Sequence, residues 1–485
     1  MRKTILLVTA CLVLSLSASA QNAFRGAYFM DTYLYAHTMN PALTANRSYA
    51  SIGLGRIDLQ TQSNLGASTF LYPQGNGVVT FLSEKVPSQT FLSKIRPNNT
   101  ENVSAQVDLL NFGFWTRKDQ FHSFSLNLRA IEHSAVPRDI FRFLKDGSTD
   151  GKDYDLSGIS ARTRAYVEAA YGISFPVAEG LRIGGKVKAL VGLAYEDMRF
   201  DRFGVTLSGE RWTVETDGRL QTSNLPVTQG SGPVRISEIF DISDYDWSRF
   251  RPSGFGAAVD LGATWNALPW LQLSASVTDL GFLHWKIDAP MQTQGLWEYS
   301  GFDNISYEGN DNLQGQLEAK LDELNRLLEF QRGGSAKPID MLPATFYLGA
   351  KLQPCHWFSA GLLGTARREG KYSWAELRGS LNLEPCNWFG WSASAAYGSF
   401  GPKIASLLDL SLGPFALFVG AEMSSVYFIS SEPRAKHTLS DYFEGNVYAI
   451  PRDRLNLDLS IGLNLVFGKR PAQRKAAGPA LVTED

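Results

Sequence analysis

The sequence is poor in charge, in basic excess and in cysteine. Only 19% of its 485 residues are charged, against about 25% in typical soluble domains. Its 46 Lys and Arg are balanced by 48 Asp and Glu, so no basic surface points to a nucleic-acid partner. After Cys11, the chain has only Cys355 and Cys386, and neither has His or Cys neighbours at metal-ligand spacing. We therefore expect no metal site and no nucleic-acid binding.

Long apolar runs are equally scarce, and the first lies at the N-terminus. Arg2 and Lys3 precede the apolar stretch Ile5–Leu16, which is followed by the small residues Ala18-Ser19-Ala20. This arrangement predicts a cleaved secretory signal at residues 1–20 and export of the chain. A membrane anchor and a lipoprotein signal that ends at Cys11 are the weaker alternatives.

The other long apolar stretch is Ile404–Ala421, which Gly413-Pro414 divides in the middle. Proline would break a helix at this point, so the stretch predicts two strands joined by a tight turn. Residues 468–485 lack any periodicity, and we expect a flexible periplasmic tail there.

Alternation with period two is the dominant pattern of the chain. In the last predicted strand, leucines and other apolar residues share one face, while polar residues such as Asn456, Asp458 and Ser460 share the other. A strand separates such a pattern cleanly, because successive side chains point to opposite sides. About 14 such segments occur, each near the ~10 residues that a tilted strand needs to cross a bilayer. A soluble β-sandwich is the alternative for any one segment, but the whole set predicts an antiparallel transmembrane β-barrel over residues 49–467.

The connections between these segments support the same fold. Short turns carry Pro and aromatic residues, as in Pro269-Trp270 and Pro385-Cys386-Asn387-Trp388, whereas long connections cover 60–102, 132–161, 199–252, 287–341 and 429–453. Outer-membrane barrels have tight periplasmic turns and long outer loops, and aromatic residues gather at their membrane interfaces. Helical spacing of leucines between Leu313 and Leu328, and the stretch Pro137–Lys145, predict short helices in two outer loops.

Catalytic motifs are absent from the sequence, so we expect no enzyme activity and no cofactor. His122 lies beside Ser123 and Ser125, but in a strand it would face away from both and is expected at the membrane interface. The acidic run Asp241, Asp244 and Asp246 lacks the spacing of a calcium loop and predicts a solvated loop. Gly53-x-Gly55 and Gly184-Gly185 lie in strand patterns, where glycine more often marks a bulge than a phosphate site.

The face opposite the apolar one carries charges of both signs. We expect twelve of them to point into the lumen: Arg129, Arg164, Glu168, Lys186, Lys188, Asp260, Lys351, Glu376, Arg378, Asp409, Glu422 and Asp458. Structural pairing inside a closed barrel and a lined conduit are equally compatible with this pattern.

Four short motifs carry a resemblance to a known family. They are Met39-Asn40-Pro41-Ala42-Leu43, Pro137-Arg138-Asp139-Ile140-Phe141, Gly184-Gly185-Lys186-Val187-Lys188, and the ending Gly462–Gly468. Through these motifs the chain resembles the FadL-like and PorV-like outer-membrane barrels of Bacteroidota, and the resemblance would extend over most of residues 24–468. The Asn40-Pro41-Ala42 element matches the Asn-Pro-Ala element near the N-terminus of FadL-type proteins.

This resemblance implies a 14-stranded barrel whose N-terminal segment, within residues 21–48, folds into the lumen as a hatch. It implies either a passive channel that passes small hydrophobic molecules sideways into the outer membrane, or a PorV-like component that binds proteins of the type IX secretion machinery. The chain departs from the common pattern because it continues beyond Phe467, where such barrels usually end on an aromatic residue.

Overall fold

The computed structural model describes residues 24–53, 55–74, 77–146, 151–208, 211–225, 232–234, 248, 250–299, 329–334, 336–424, 428–430, 449–451 and 454–468. The expected signal at 1–20, the tail beyond Gly468, the acidic run at 241–246 and the leucine-rich helix at 313–328 lie outside these residues. In the described part, no helix combines the length and hydropathy that a membrane crossing requires.

Strands dominate the structure. In chain order they are β1 (Ser48–Ile52), β2 (Arg56–Gly66), β3 (Leu71–Gln74), β4 (Gly77–Thr80), β5 (Asn98–Trp115), β6 (Phe121–Pro137), β7 (Asp153–Asp155), β8 (Ser160–Ala178), β9 (Leu181–Ser208), β10 (Arg211–Ser223), β11 (Gly254–Leu268), β12 (Leu271–Trp285), β13 (Ala289–Tyr299), β14 (Gln331–Arg332), β15 (Ile339–Met341), β16 (Ala344–Cys355), β17 (Phe358–Arg368), β18 (Trp374–Cys386), β19 (Phe389–Gly398), β20 (Gly401–Leu412), β21 (Phe415–Met423), β22 (Phe428–Ser430), β23 (Ala449–Pro451) and β24 (Arg454–Phe467).

Helices are few and short among the described residues. The α-helices are α1 (Ala67–Phe70), α2 (Ser88–Leu92) and α3 (Arg138–Asp146), and 3-10 turns cover Arg25–Ala27, Ala36–Thr38 and Gly370–Tyr372. Helix α3 lies where Pro137–Lys145 predicts an outer-loop helix.

The sheet closes on itself as an antiparallel barrel of 14 strands. Its members, in order around the wall, are β1 with β2, then β5, β6, β8, β9, β11, β12, β16, β17, β18, β19, β20, β21 and β24. Strand β24 completes the ring because Ser48 of β1 pairs with Phe467 and Arg56 of β2 pairs with Gly462. The barrel predicted from period-two alternation is thereby confirmed.

Polarity is inverted relative to a soluble protein. Large apolar side chains face outward and stay exposed, such as Leu348 with 68% of its surface accessible and Tyr397 with 71%. Polar and charged side chains alternate with them and are buried inside, as Asn456, Asp458 and Ser460 are in β24. Lipid can cover such a belt, and a closed ring leaves no unpaired strand edge in the membrane. The chain is therefore built as an outer-membrane β-barrel.

The two ends of the barrel differ. At the short-turn end lie the connections 116–120, 179–180, 269–270, 356–357, 387–388 and 413–414. Trp270, Trp357 and Trp388 sit in these turns with about half of their surface exposed (50%, 45% and 54%), as an interfacial aromatic girdle requires. The other end carries the longer connections and is called the long-loop end.

Several of the predicted long connections contain more strand than their sequences suggest. Strand β9 continues to Ser208, and β10 pairs along its extension, so much of 199–252 is β-sheet rather than loop. Strand β13 pairs with β10 and in this way occupies the start of 287–341. The extension has its own apolar core around Phe200, Leu220 and Phe330, which explains why these strands persist beyond the membrane.

Candidate functional site: the interior of the barrel

The chain before β1 lies inside the barrel. In this N-terminal segment, Phe24–Arg47, most residues are buried and the others, such as Asp31, are partly exposed. Its aromatic side chains pack against inward residues of the wall, with the rings of Tyr33 and Tyr35 5.3 Å and 5.6 Å from that of Phe418. The segment and the wall thus share one hydrophobic core at the short-turn half of the lumen.

Hydrogen bonds hold the backbone of this segment. Wall side chains donate to its carbonyl oxygens in five places: Ser392 to Gly26 (2.8 Å), Lys186 to His37 (3.4 Å), Ser276 to Met39 (2.8 Å), Ser174 to Ala42 (3.2 Å) and Trp115 to Ala45 (2.9 Å). Because the donors come from many strands around the ring, the segment is tied to the whole circumference.

Asn40 is a central anchor of the segment and is completely buried. Its Nδ2 donates to Tyr28 Oη at 3.1 Å and, at longer range, to the carbonyls of Ala263 (3.3 Å) and Ala275 (3.4 Å). Its Oδ1 accepts from the backbone N–H of Ala42 at 2.9 Å, which closes a turn over Pro41. Asparagine suits this position because one short side chain serves as both donor and acceptor.

Two wall glycines make room for the Asn40-Pro41 turn. A Cβ atom at Gly262 would collide with Asn40 Oδ1, and one at Gly184 would collide with the carbonyl of Pro41. Gly184, which the sequence suggests as part of a bulge, therefore serves close approach of two backbones. The other predicted glycine motif, Gly53-x-Gly55, lies where the wall strand is interrupted, between the end of β1 at Ile52 and the start of β2 at Arg56.

His37 is buried beneath this turn. Its Nε2 lies 2.6 Å from Tyr49 Oη. Burial, together with the positive charges of Lys186 and Arg56, lowers the pKa of His37 well below its usual value. The ring is therefore neutral at physiological pH, as a histidine packed among apolar and cationic groups should be.

Charged side chains inside the barrel form clusters that contain both signs, and they do not form a continuous row of one sign. One cluster comes from β6, β8, β9, β11 and β12: Arg129 binds Glu168 (2.7 Å) and Asp279 (3.1 Å), while Lys188 binds Asp260 (2.8 Å) and Asp279 (2.6 Å). All five side chains are buried. A buried ion needs partners of opposite charge, and the ion pairs of this cluster provide them.

A second cluster ties the N-terminal segment to β18, β20 and β21. Arg25 approaches Glu376 at 3.3 Å, Arg378 binds Glu376 at 2.7 Å, and Lys403 binds Glu376 at 2.6 Å and Glu422 at 3.2 Å. Arg25 of the segment thus joins a set of wall charges that are also paired with one another.

The structure places all twelve sequence-expected charges in the buried interior. Arg129, Glu168, Lys188 and Asp260 meet in the first cluster, and Glu376, Arg378 and Glu422 in the second. The other five are apart: Lys186 beside His37, Lys351 on Asp31 at 2.8 Å, Asp458 on Gln60 at 2.7 Å, Arg164 on Asp340, and Asp409 without a hydrogen-bond partner among the described residues. Most of these groups are therefore paired with groups of opposite charge inside the barrel.

A polar bridge crosses the mouth of the barrel at the long-loop end. Glu369, in the connection from β17 to β18, lies 2.8 Å from His133 Nε2 and also binds Arg164, which holds Asp340 of β15. The ring of Tyr372 stacks on His133 with centroids 5.1 Å apart. Strands β6 and β18 are third and tenth of 14 around the ring, so the bridge joins opposite walls. Burial disfavours the Glu369 carboxylate, but Arg164 and His133 hold its pKa well below the usual value.

An apolar cluster lies inside the lumen between this mouth and the charged layer. Its buried members are Ile131, Tyr166, Leu190, Tyr195, Ala258, Leu283, Trp285 and Leu342. The rings of Trp285 and Tyr195 stack at 4.8 Å, and Trp285 Nε1 has no hydrogen-bond partner among the described residues. We call this set the upper apolar cluster.

Strand β9 displays the order of these layers. Its inward positions run from Gly184, against Pro41, through the charged Lys186 and Lys188 to Leu190 and then Gly192, against Trp285. The lumen is therefore layered along its axis, from N-terminal segment to charges to apolar cluster.

Sequence reasoning missed the upper apolar cluster and several charges, including Arg25, Arg56, Asp108 and Glu369. A signal for the cluster existed, because Leu190 continues the inward register of Lys186 and Lys188 with an apolar residue. Arg56 and its partners at Asp58 (3.1 Å) and Asp108 (3.3 Å) required knowledge that the first strand resumes after a break.

The remaining sequence candidates lie apart from this interior. His122 faces outward, where its Nδ1 lies 2.7 Å from Tyr171 Oη and its ring stacks on Phe114. Cys355 and Cys386 are free thiols at the last positions of β16 and β18, beside turns of the short-turn end. Within the described ranges, no three His, Cys, Asp or Glu side chains are grouped with metal-binding geometry.

Comparison with known proteins gives a family for this chain. Residues 41–422 match the model of a family of unknown function, DUF5723. The chain belongs to the DUF5723 family. The matched range includes Pro41 and the barrel from β1 to β21, so this DUF5723 protein carries the interior layers within the family region. A comparison with curated proteins finds no match.

Solved structures give distant similarities to this DUF5723 protein. The Ralstonia pickettii toluene transporter TbuX has 10% identity and a TM-score of 0.41, with 90% of this chain and 95% of that chain covered. A Pseudomonas aeruginosa FadL homologue has 10% identity and a TM-score of 0.41, with 93% and 100% covered. The translocator domain of the Neisseria meningitidis autotransporter NalP has 8% identity and a TM-score of 0.33, with 90% and 93% covered. At these values the likeness carries no argument about activity.

Proposed function

We propose that this protein is a passive outer-membrane channel for small hydrophobic molecules. The upper apolar cluster carries the proposal. Interiors of transmembrane barrels are ordinarily polar, yet here Tyr166, Leu190, Leu283 and Trp285 form a buried apolar set inside the lumen. A hydrophobic molecule that enters between the long loops could bind to these side chains, because water competes poorly for an apolar surface.

The charged layer beneath the cluster blocks a straight axial path for an apolar molecule. Arg129, Lys188, Asp260 and Asp279 are buried and mutually paired, and separating them to admit an apolar group would leave charges uncompensated. The N-terminal segment fills the lumen below. A hydrophobic molecule is therefore directed sideways rather than through the short-turn end.

Wall irregularities beside the cluster supply a place for this sideways path. The β11–β12 ladder shifts between Val259 and Leu261, and Asp279 of β12 adopts a positive φ of 60°. Beyond Thr278, β12 leaves β16 and pairs instead with β15 from Phe282. Bulges bend strands and interrupt their hydrogen bonds, so the wall can open here at lower cost than along regular ladders.

The N-terminal segment, in this proposal, acts as a hatch that keeps the short-turn end closed to polar solutes. Its ties to many strands and its shared core with the wall support this role. The PorV-like alternative, a secretion component that binds protein partners, gains no support from the similar structures, and we do not propose it.

Ligand binding tests the proposal most simply. An apolar fluorescent probe is titrated into detergent-purified protein, and Leu190→Asn is compared with Leu362→Asn, which changes an outward leucine with 53% exposure. We expect the wild type and Leu362→Asn to bind the probe saturably and Leu190→Asn to lose most of the affinity. Equal affinity in all three proteins would remove the upper apolar cluster as the binding site.

A further inference from the structure

Asp409 stands out among the buried charges of the barrel. It faces inward near the short-turn end of β20 with 1% of its surface exposed, and neither carboxylate oxygen has a hydrogen-bond partner in the described residues. Every other interior carboxylate in the charged clusters binds at least one arginine or lysine. A buried carboxylate without such a partner is strongly disfavoured, so a proton or a cation must compensate it.

The surroundings of Asp409 supply more oxygen atoms. Its cross-strand partner is Gly390 of β19, and a Cβ atom there would collide with the hydroxyl of Thr32. Thr32 Oγ1 is buried and likewise lacks a hydrogen-bond partner within the part of the chain that the structure describes. Paired residues of neighbouring strands lie about 5 Å apart, so the Thr32 hydroxyl reaches into the space beside the carboxylate. Glycine at position 390 leaves room there for the Thr32 hydroxyl and for the methyl group of Met30.

Glu384 of β18 forms the third side of this space. Its carboxylate accepts the backbone N–H of Thr32, at 2.6 Å on Oε1, and that of Asp31, so it lies beside Thr32. In the strand register, Glu384 lies across β19 from Asp409, because Leu383 of β18 pairs with Trp391 and Gly390 pairs with Asp409. Asp31, the residue before Thr32, binds Lys351 at 2.8 Å. The immediate region thus holds three carboxylates against one ammonium group, and that ammonium is already engaged.

We propose that Asp409, Glu384 and the Thr32 hydroxyl bind a divalent cation, with Ca²⁺ as the best fit. Carboxylate and hydroxyl oxygens are hard ligands, and Ca²⁺ accepts irregular sets of six to eight oxygens that include water. This set is smaller than a three-carboxylate metal cluster, so water completes the shell. Asp31, whose side chain is 45% exposed, opens the region toward solvent at the short-turn end.

The consequence of such a site is a link between the N-terminal segment and the wall. Thr32 belongs to the segment, whereas Asp409 and Glu384 belong to β20 and β18. A bound cation therefore stabilises the docked segment by mass action, since it binds that state and not the undocked one. The proposal does not depend on which molecule the barrel transports.

Calcium binding to the purified full chain is the test. After treatment with a chelator, Ca²⁺ or Mg²⁺ is titrated calorimetrically, and the thermal unfolding midpoint is followed in parallel. We expect one Ca²⁺ per chain and an upward shift of the midpoint. Asp409→Asn should abolish both effects and raise the midpoint in the absence of cation, because it removes the uncompensated charge. Thr32→Val should weaken binding without that rise.

Asp458→Asn is the matched control, since Asp458 is an inward carboxylate that already accepts a hydrogen bond from Gln60 at 2.7 Å. It should retain the full calcium response. Absence of binding to the wild type would overturn the proposal and assign a proton to Asp409. Undiminished binding to Asp409→Asn would overturn it as well, because the cation would then lie elsewhere.

Discussion

Replacement of Asn40 by alanine should release the N-terminal segment while the barrel stays intact. The two shorter hydrogen bonds of Asn40, to Ala42 N at 2.9 Å and Tyr28 Oη at 3.1 Å, lie within the segment and hold the fold that it has when docked. They contribute about 1 kcal/mol each, and the buried N–H of Ala42 loses its partner at a further cost of roughly 1–3 kcal/mol. These contributions sum to at least about 3 kcal/mol, which corresponds to a shift of the docking equilibrium by roughly 100-fold or more.

Hydrogen–deuterium exchange with peptide resolution measures this shift. Peptides from residues 24–45 should exchange roughly 100-fold faster in Asn40→Ala, while peptides from β18 to β21 keep the wild-type rate, because local opening need not involve the wall. Gly262→Ala should give the same pattern, since its Cβ atom would occupy the place of Asn40 Oδ1.

Gly379→Ala is the control, because a Cβ atom there meets no atom within 4 Å. Its exchange should match that of the wild type throughout. Unchanged protection of the segment in Asn40→Ala would refute the anchoring role of Asn40. Faster exchange of segment and barrel together would refute the idea that the two are separable units.

Three further perturbations test other layers. Leu381→Arg puts a charge on the lipid face of β18, where Leu381 is 53% exposed; it should destabilise the folded barrel by ~2–4 kcal/mol, and unaltered heat-modifiable gel mobility and denaturation would contradict the lipid assignment. Arg378→Met removes one cationic partner of Glu376 and Glu422 and should lower the free energy of unfolding, measured with denaturant, by about 3–5 kcal/mol. An unchanged free energy would mean that Arg25 and Lys403 are enough to compensate the two carboxylates. His37 is neutral in the folded protein, so unfolding takes up a proton below pH about 6.5. The free energy of unfolding should therefore fall by up to ~1.4 kcal/mol per pH unit below that value. His37→Gln should reduce this slope, and an identical slope would exclude His37 as its source.

Much of the fold was predictable because the strands of a membrane barrel alternate apolar and polar residues along the sequence. The alternation of Leu457, Ile461 and Leu463 with Asp458, Ser460 and Asn464 follows from lipid on one side and a closed interior on the other. The extension of β9 to Ser208 was not predictable in this way, because outside the membrane both faces can be mixed in polarity. Its strands persist through pairing with β10 and a local core, which are contacts between distant residues.

The interior was predictable in composition but not in arrangement. Inward charges such as Glu376 and Glu422 follow from strand register, yet their pairing with Arg25 depends on a segment that has no period of its own. Asn40-Pro41-Ala42 attracts attention as a motif, whereas its use becomes clear only when Gly184 and Gly262 are seen to accommodate it. Contacts of this kind depend on which strands meet across the lumen.

Uptake through an outer membrane tests the central claim most directly. An apolar fluorescent dye is presented to cells that lack other hydrophobic channels and express the wild type, Leu190→Asn or no protein, since the outer leaflet itself resists such dyes. Faster dye entry with the wild type than with Leu190→Asn or the empty host is the predicted result. Equal entry in all three, with the barrel verified as folded in the outer membrane, would contradict passage of hydrophobic molecules through this protein.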